Sequence, residues 1–147
     1  MSMEEILKEV MAKKKRKQNE FVEEVKSILE SCGFITFNRF YDIDLIATKI
    51  MQNISNLTLL IVARATEGNV IRTEKYDTLM KRYLEFRNNR ELRGITIPCF
   101  IFRFIGNRYV FKDIRNLDGL NKRKFHMKNE KTMSKKEFVK FLKELVY

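Results

Sequence analysis

The spacing of apolar positions along this chain changes several times, and each change marks a new element. Ile6, Leu7 and Val10 form a short helical stripe behind Ser2, which reads with Glu5 as a capping box. The cationic run Lys13, Lys14, Lys15, Arg16 and Lys17 follows, either as a solvated helix face or as a junction between helical segments. Phe21, Val25, Ile28 and Leu29 then recur at i, i+4, i+7 and i+8, and Gly33 supplies a stop. Together these define a first core helix.

Three β-branched stretches come next, at residues 34–37, 43–48 and 57–65, read as consecutive antiparallel strands. Leu59, Leu60, Ile61 and Val62 are unbroken in their apolarity, as a strand covered on both faces requires. Gly68 and Asn69 mark a turn. From Thr73 the spacing is helical again, with Tyr76, Leu79, Met80, Tyr83 and Leu84 on one face. Residues 97–104 and 108–111 flank Gly106 and Asn107 as a hairpin, and Pro98 places its strand at an edge or at a strand start. Residues 121–131 are polar and basic and read as a loop. Ser134 and Glu137 form a second capping box before the stripe Phe138, Phe141, Leu142 and Leu145 of a C-terminal helix. Helix, three strands, helix, two strands lacks the regular alternation of a doubly wound fold; it predicts an α+β sheet with helices at its faces.

Charge and length narrow the function. The 147 residues suffice for one domain, with a core at about 18–114 and a basic loop and helix over 115–147. Thirty Lys and Arg against nineteen Asp and Glu leave a formal charge of +11, self-repulsive unless a polyanion relieves it. Nucleic acid is the first candidate partner, DNA before RNA. No apolar run approaches the length that spans a bilayer, and the glutamates near the N-terminus do not suit a secretory signal, so an intracellular protein with no membrane partner is expected. Cys32 and Cys99 are expected as small buried side chains. With His126 the sole histidine, zinc clusters and histidine-based triads have almost no material. His126 itself reads as an ordinary exposed side chain.

Several segments in series resemble the archaeal Holliday-junction resolvases of the PD-(D/E)xK, or restriction-endonuclease-like, superfamily. They are ILESCGF (28–34), IDLIATK (43–49), IVARATEG (61–68), VIRTEKYDTLMKRYLEF (70–86), and then IPCFIFRF and GNRYVFKD. The resemblance covers about two thirds of the chain and implies a mixed central sheet in the order αβββαββ, with added terminal helical segments and a homodimeric habit. It also implies an acid on the first helix, an aspartate on the second strand and Glu-x-Lys on the third, which hold Mg²⁺ for phosphodiester hydrolysis.

Asp44 matches the strand aspartate. Val62 stands where the metal-binding glutamate belongs, and Arg64 where the lysine belongs. Direct alignment puts Val22 at the helix acid, and a one-residue shift restores Glu23, with Glu20 and Glu24 nearby. Valine cannot ligate Mg²⁺, so the expected protein binds nucleic acid without cutting it and needs no cofactor. Glu23, Asp44 and Arg64 are then vestiges of the site. The alternative is a Mg²⁺-dependent endonuclease whose ligands, Asp44 and Glu23, are joined by a migrated Glu67 or Glu74; a third reading is a non-catalytic subunit that pairs through apolar faces around Phe100, Phe102 or the C-terminal helix. Asp44 could equally cap a loop or pair with Arg64. Candidate phosphate contacts are Lys13, Lys14, Lys15, Arg16, Lys17, Arg72, Lys75 and Arg82, extended by Lys81 and Arg87, and the cluster Lys122, Arg123 and Lys124. Phe125 beside that cluster could stack on a base or anchor its segment to the core.

Overall fold

The computed structural model describes residues 2–40, 42–50, 56–89, 94–115 and 124–145. Helix α1 (Met3–Ser31) runs unbroken for 29 residues. The Ser2 hydroxyl caps it by accepting the Glu5 N–H at 3.2 Å, and the cationic run is continuous helix because Lys, Arg, Ala and Gln are all good helix formers. The helix stops as its sequence predicts. Gly33, at φ +93°, lets the Phe34 N–H reach the Leu29 carbonyl and the Gly33 N–H reach that of Glu30, which satisfies the last orphan carbonyls.

Strands β1 (Ile35–Phe40), β2 (Ile43–Ile50) and β3 (Asn56–Ala65) form the antiparallel meander read from the sequence. After β4 (Val70–Arg72) and α2 (Tyr76–Asn88), the chain returns as β5 (Gly94–Phe104), parallel to β3, and turns back into β6 (Arg108–Asp113). The resulting sheet has the order β1-β2-β3-β5-β6. Helix α3 (Lys135–Lys143) closes the described chain, its capping box complete at Ser134 and Glu137. This is the mixed α+β architecture of the restriction-endonuclease-like fold.

Each face of the sheet carries its own core. Alternation along β3 and β5 turns Leu57, Leu59, Ile61, Ile97, Cys99 and Ile101 toward Phe21, Val25 and Leu29 of α1 and Phe138 and Leu142 of α3. Leu60, Val62, Phe100, Phe102 and Phe104 turn the other way, toward Tyr76 and Leu79 of α2. Strands β3 and β5 are thus covered on both sides, which is why their sequences read as continuous apolar runs. Cys32 and Cys99 are buried free thiols, and burial pushes the Cys99 thiol well up.

Three expectations need correction. Pro98 lies inside β5, four residues after its start, between β3 and β6. It is tolerated because its carbonyl, which points to the same side as its ring nitrogen, faces Ile114 just past the end of β6, where one ladder donor is easily forgone. The described part of 121–131 is not simply loop: β7 (Lys124–His126) pairs antiparallel with β4, and a 3-10 turn (Met127–Asn129) follows. Phe125 is fully buried there, 5.0 Å from Phe102 and 5.5 Å from Phe100 by ring centroids. Lys112 lies over the Phe125 ring and binds Glu130 at 2.7 Å, which holds the segment to the sheet. Phe125 is therefore an anchor with no face to offer a base. The apolar face sought around Phe100 and Phe102 is likewise consumed by the chain's own core, since both are fully buried.

Gly94 begins the β3–β5 ladder at φ +120°, where an added Cβ would meet the Asn56 carbonyl oxygen at 2.0 Å. Gly94→Ala is expected to lower stability by more than about 1 kcal/mol in urea unfolding, through both backbone strain and displacement of the ladder's first pair.

Candidate nucleic-acid interface

The site begins where β2 and β3 part. Their backbone pairing runs only to Leu45 and Ile61, so the next outward-facing donor of β3, the Ala63 N–H, has no strand partner from β2. The Asp44 carboxylate takes it: Oδ2 accepts the Ala63 N–H at 3.0 Å and the Arg64 guanidinium at 2.5 Å. Arg64 also donates to the Ala63 carbonyl at 2.7 Å. Both side chains are about three-quarters buried, with 24% and 21% of their surface exposed, a setting in which a charge-assisted pair is held more firmly than at the surface. Of the readings open for Asp44, pairing with Arg64 is the geometry found.

On the α1 side, Glu23 is exposed and accepts from Asn38 of β1 at 3.0 Å. Glu23, Val22 and Asp44 line one crevice of about 50 Å³ with Asn19 and Asn38. Val62 is 1% exposed and packs in the aromatic core. Glu67 extends into solvent, 89% exposed, beside Lys17 at 3.5 Å. Among the described residues no three His, Cys, Asp or Glu side chains gather as metal ligands.

The cations converge more than the acids do. Two adjoining depressions, of about 540 and 530 Å³, share Arg64 and Arg72. Lys75, Glu74 and Lys124 complete the first; Lys14, Lys17, Glu20, Glu67 and Arg103 help line the second. Three pieces of the fold achieve this. Helical spacing puts Lys14 and Lys17 on one side of α1 and leaves Lys13, Lys15 and Arg16 exposed on the others. The β4–β7 pairing sets Arg72 opposite Lys124. Thr73, buried, accepts the Lys75 N–H at 3.2 Å and fixes the entry to α2.

Not every expected contact lies in this cleft. Arg82 binds Asp42 at 3.3 Å and Glu85 at 2.8 Å and sits outside it. Lys81 and Arg87 are exposed on α2, the latter 5.6 Å from the Tyr83 ring. Lys122 and Arg123 lie outside the described residues. His126 is half-buried in β7, opposite Val70.

Two side chains that composition and spacing did not single out build the cleft wall. Gln18 uses its amide as a strand mimic: it donates to the Ala65 carbonyl at 3.1 Å and accepts the Ala65 N–H at 3.0 Å, tying α1 to the end of β3. Arg103 binds Glu24 at 2.6 Å and lies over the Phe21 ring at 5.0 Å. Glu24 accepts also from the Tyr109 hydroxyl at 2.9 Å, so one carboxylate joins α1, β5 and β6. Burial first, and the Glu24 carboxylate second, raise the Tyr109 pKa above its ordinary value. The protonated phenol is thus favoured by folding: its contribution is complete below about pH 10 and is lost as pH rises through the raised value. Tyr109→Phe is expected to cost about 1.5 kcal/mol in denaturant unfolding at neutral pH and to remove this alkaline component.

The five-stranded mixed sheet with helices on both faces thus carries a basic cleft built from α1, β3, β4, the start of α2 and β7. Comparison with solved structures agrees on the fold: the chain is similar to Hjc, a Holliday junction resolvase from the archaeal hyperthermophile Archaeoglobus fulgidus, with a TM-score of 0.58 at 12% identity, over 84% of this chain and 96% of that one. No protein-family model matches the sequence. No curated protein matches it either. Among the described residues no helix is long and apolar enough to cross a membrane.

Proposed function

We propose that this protein binds structured or duplex DNA through backbone phosphates and does not hydrolyse it. The carrying observation is the meeting of Lys14, Lys17, Arg72, Lys75 and Lys124 around Arg64 in one cleft. These cations come from α1, β4, the start of α2 and β7, a spread of positive charge that suits a polyanion. Phosphate contacts of this kind confer affinity without sequence reading.

The resolvase fold implies a divalent metal at Asp44, and the residues present do not suit one. Mg²⁺ needs near-octahedral oxygen ligation. Here the Arg64 guanidinium is already bound to Oδ2 of Asp44 and would repel such an ion. At Val62 the chain offers packed hydrocarbon. Arg64 in this reading is a permanent internal counter-ion that keeps the acidic vestige neutral. DNA is favoured over RNA on the resemblance to junction resolvases. One observation favours a second reading, a Mg²⁺-dependent endonuclease: Glu23 and Asp44 line the same small crevice.

A single set of assays separates the two. Labelled four-way junction, linear duplex and structured RNA are titrated with protein at graded salt, and then incubated with Mg²⁺ or Mn²⁺. Tight, salt-sensitive binding with intact substrate is expected. Cleavage that disappears in Asp44→Ala would establish the nuclease, and absence of binding at low salt would refute both.

A further inference from the structure

The first four turns of α1 stand apart from both cores. Buried positions of the helix begin only at Phe21, and every residue from 3 to 17 is exposed. Yet this segment is not polar throughout. Met3, Ile6, Leu7, Val10 and Met11 are exposed by 76, 43, 57, 46 and 70%, and they recur at i, i+3, i+4, i+7 and i+8. That is a continuous stripe on one side of a helix. Five large apolar side chains in two and a half turns, with no core beneath them, leave surface that water solvates poorly.

Charge along the same segment is divided by sign. Glu4 and Glu5 lie in the stripe's first turn, Lys8 and Glu9 sit together near its middle, and Lys13 to Lys17 follow it. A parallel pair of such helices would set five cations against five cations. An antiparallel pair sets the first acidic turn of each copy against the start of the other's cationic run, and Lys8 against Glu9. One register matches the four central stripe positions with two charge pairs, and leaves Met3 against the stem of the partner's Lys14. With Leu7 level with the partner's Val10, Ile6 is level with the partner's Met11, Lys8 with the partner's Glu9, and Glu4 with the partner's Lys13.

We infer that residues 3–17 of α1 are a self-association element, pairing antiparallel with the same segment of a second copy of this chain. The overlap, residues 3 to 14 of each copy, is about 18 Å long, too short to bury the area of an obligate dimer, so association is weak and concentration-dependent. The two-fold axis lies between Lys8 and Glu9. Since Lys14 and Lys17 belong to the cleft, each cleft is brought to the end of the other copy's helix, and the pair presents two cationic faces to one nucleic acid. The inference concerns assembly and stands whether or not the cleft binds DNA.

Sedimentation velocity of the full chain, without nucleic acid, over ~1 to ~100 μM tests it. The mass is expected to rise from monomer toward dimer, and Leu7→Glu to weaken association at least tenfold. Residue 7 lies outside both cores, so the variant should retain the wild-type unfolding transition, a check on folding. Orientation is read by mixing Leu7→Cys and Val10→Cys proteins under thiol exchange: the 7–10 disulfide should exceed the 7–7 and 10–10 products. A monomer at every concentration overturns the inference, as does a dimer indifferent to Leu7→Glu or a preference for like-with-like disulfides. A monomer that binds anionic lipid vesicles through this stripe would replace it with a membrane contact.

Discussion

Reversing Arg72 and Lys75 to Glu in one protein is expected to weaken binding to duplex or branched DNA by more than about a hundredfold at moderate salt, with little dependence on sequence. Two favourable phosphate contacts are removed and two repulsive charges are set beside Arg64 and Lys124. Both side chains lie on the rim of the cleft and outside its hydrophobic supports, so the folded population should be unchanged by thermal unfolding. The salt dependence carries the sharper information. Five cations contribute to the cleft beyond Arg64 and Arg103, which are held in part-buried ion pairs, the contact of Lys17 with Glu67 being solvent-exposed; this predicts a slope of log affinity against log salt of about −4.5 and a fall of about 500-fold from 50 to 200 mM. Neutralising Lys14 and Lys17 should reduce that slope by about 2, whereas Arg82→Ala, which breaks ion pairs with Asp42 and Glu85 outside the cleft, should leave it unchanged. A slope near zero, measured by fluorescence anisotropy, would remove the phosphate-binding reading.

The second large effect is expected at Val62. Val62→Glu places a carboxylate at a position 1% exposed, among Phe100, Phe102 and Leu60. Arg64, two positions on along the same strand, is already committed to Asp44, so the cost should be about 3–5 kcal/mol in urea unfolding, the range for an uncompensated buried charge. Adding Arg64→Lys should not restore stability, and neither should Mg²⁺. Recovery of stability by Mg²⁺ would show that the position still opens onto a metal-binding space, and would favour the endonuclease reading. The expected outcome would mean that position 62 serves the hydrophobic core and offers no oxygen-ligand space to a metal.

Much of the fold was legible because its elements carry strong periods. The α1 stripe with Gly33, the unbroken run of β3 and the capping box at Ser134 each had one physical solution, and the structure adopts it. Strands β4 and β7 were not legible, since three residues hold too little alternation to register and their pairing is between residues 54 apart in sequence, Arg72 and Lys124 at 52 and Val70 and His126 at 56 spanning the range. Phe125 had no local signal separating an anchor from a stacking platform; only the aromatic cluster opposite it decides. Pro98 misled because the rule for proline in strands concerns which side loses a donor, and that depends on where β6 ends. At the site, Asp44 and Arg64 could be named from the chain, but their ion pair rests on the splaying of β2 from β3. The cleft itself is a property of the fold: Lys14 and Lys124 are 110 positions apart, and nothing in the run Lys13 to Lys17 tells which two of its members face inward.

The parallel contact between β3 and β5 also has a kinetic consequence. Each of its pairs, from Asn56 with Gly94 to Ala65 with Arg103, joins residues 38 apart, so the centre of the sheet closes only after the intervening chain has surrendered much of its freedom. The β1–β2–β3 meander and α2 are local by comparison and can assemble early. Refolding should therefore be slower than for helical proteins of this size, with the docking of β5 as its late event.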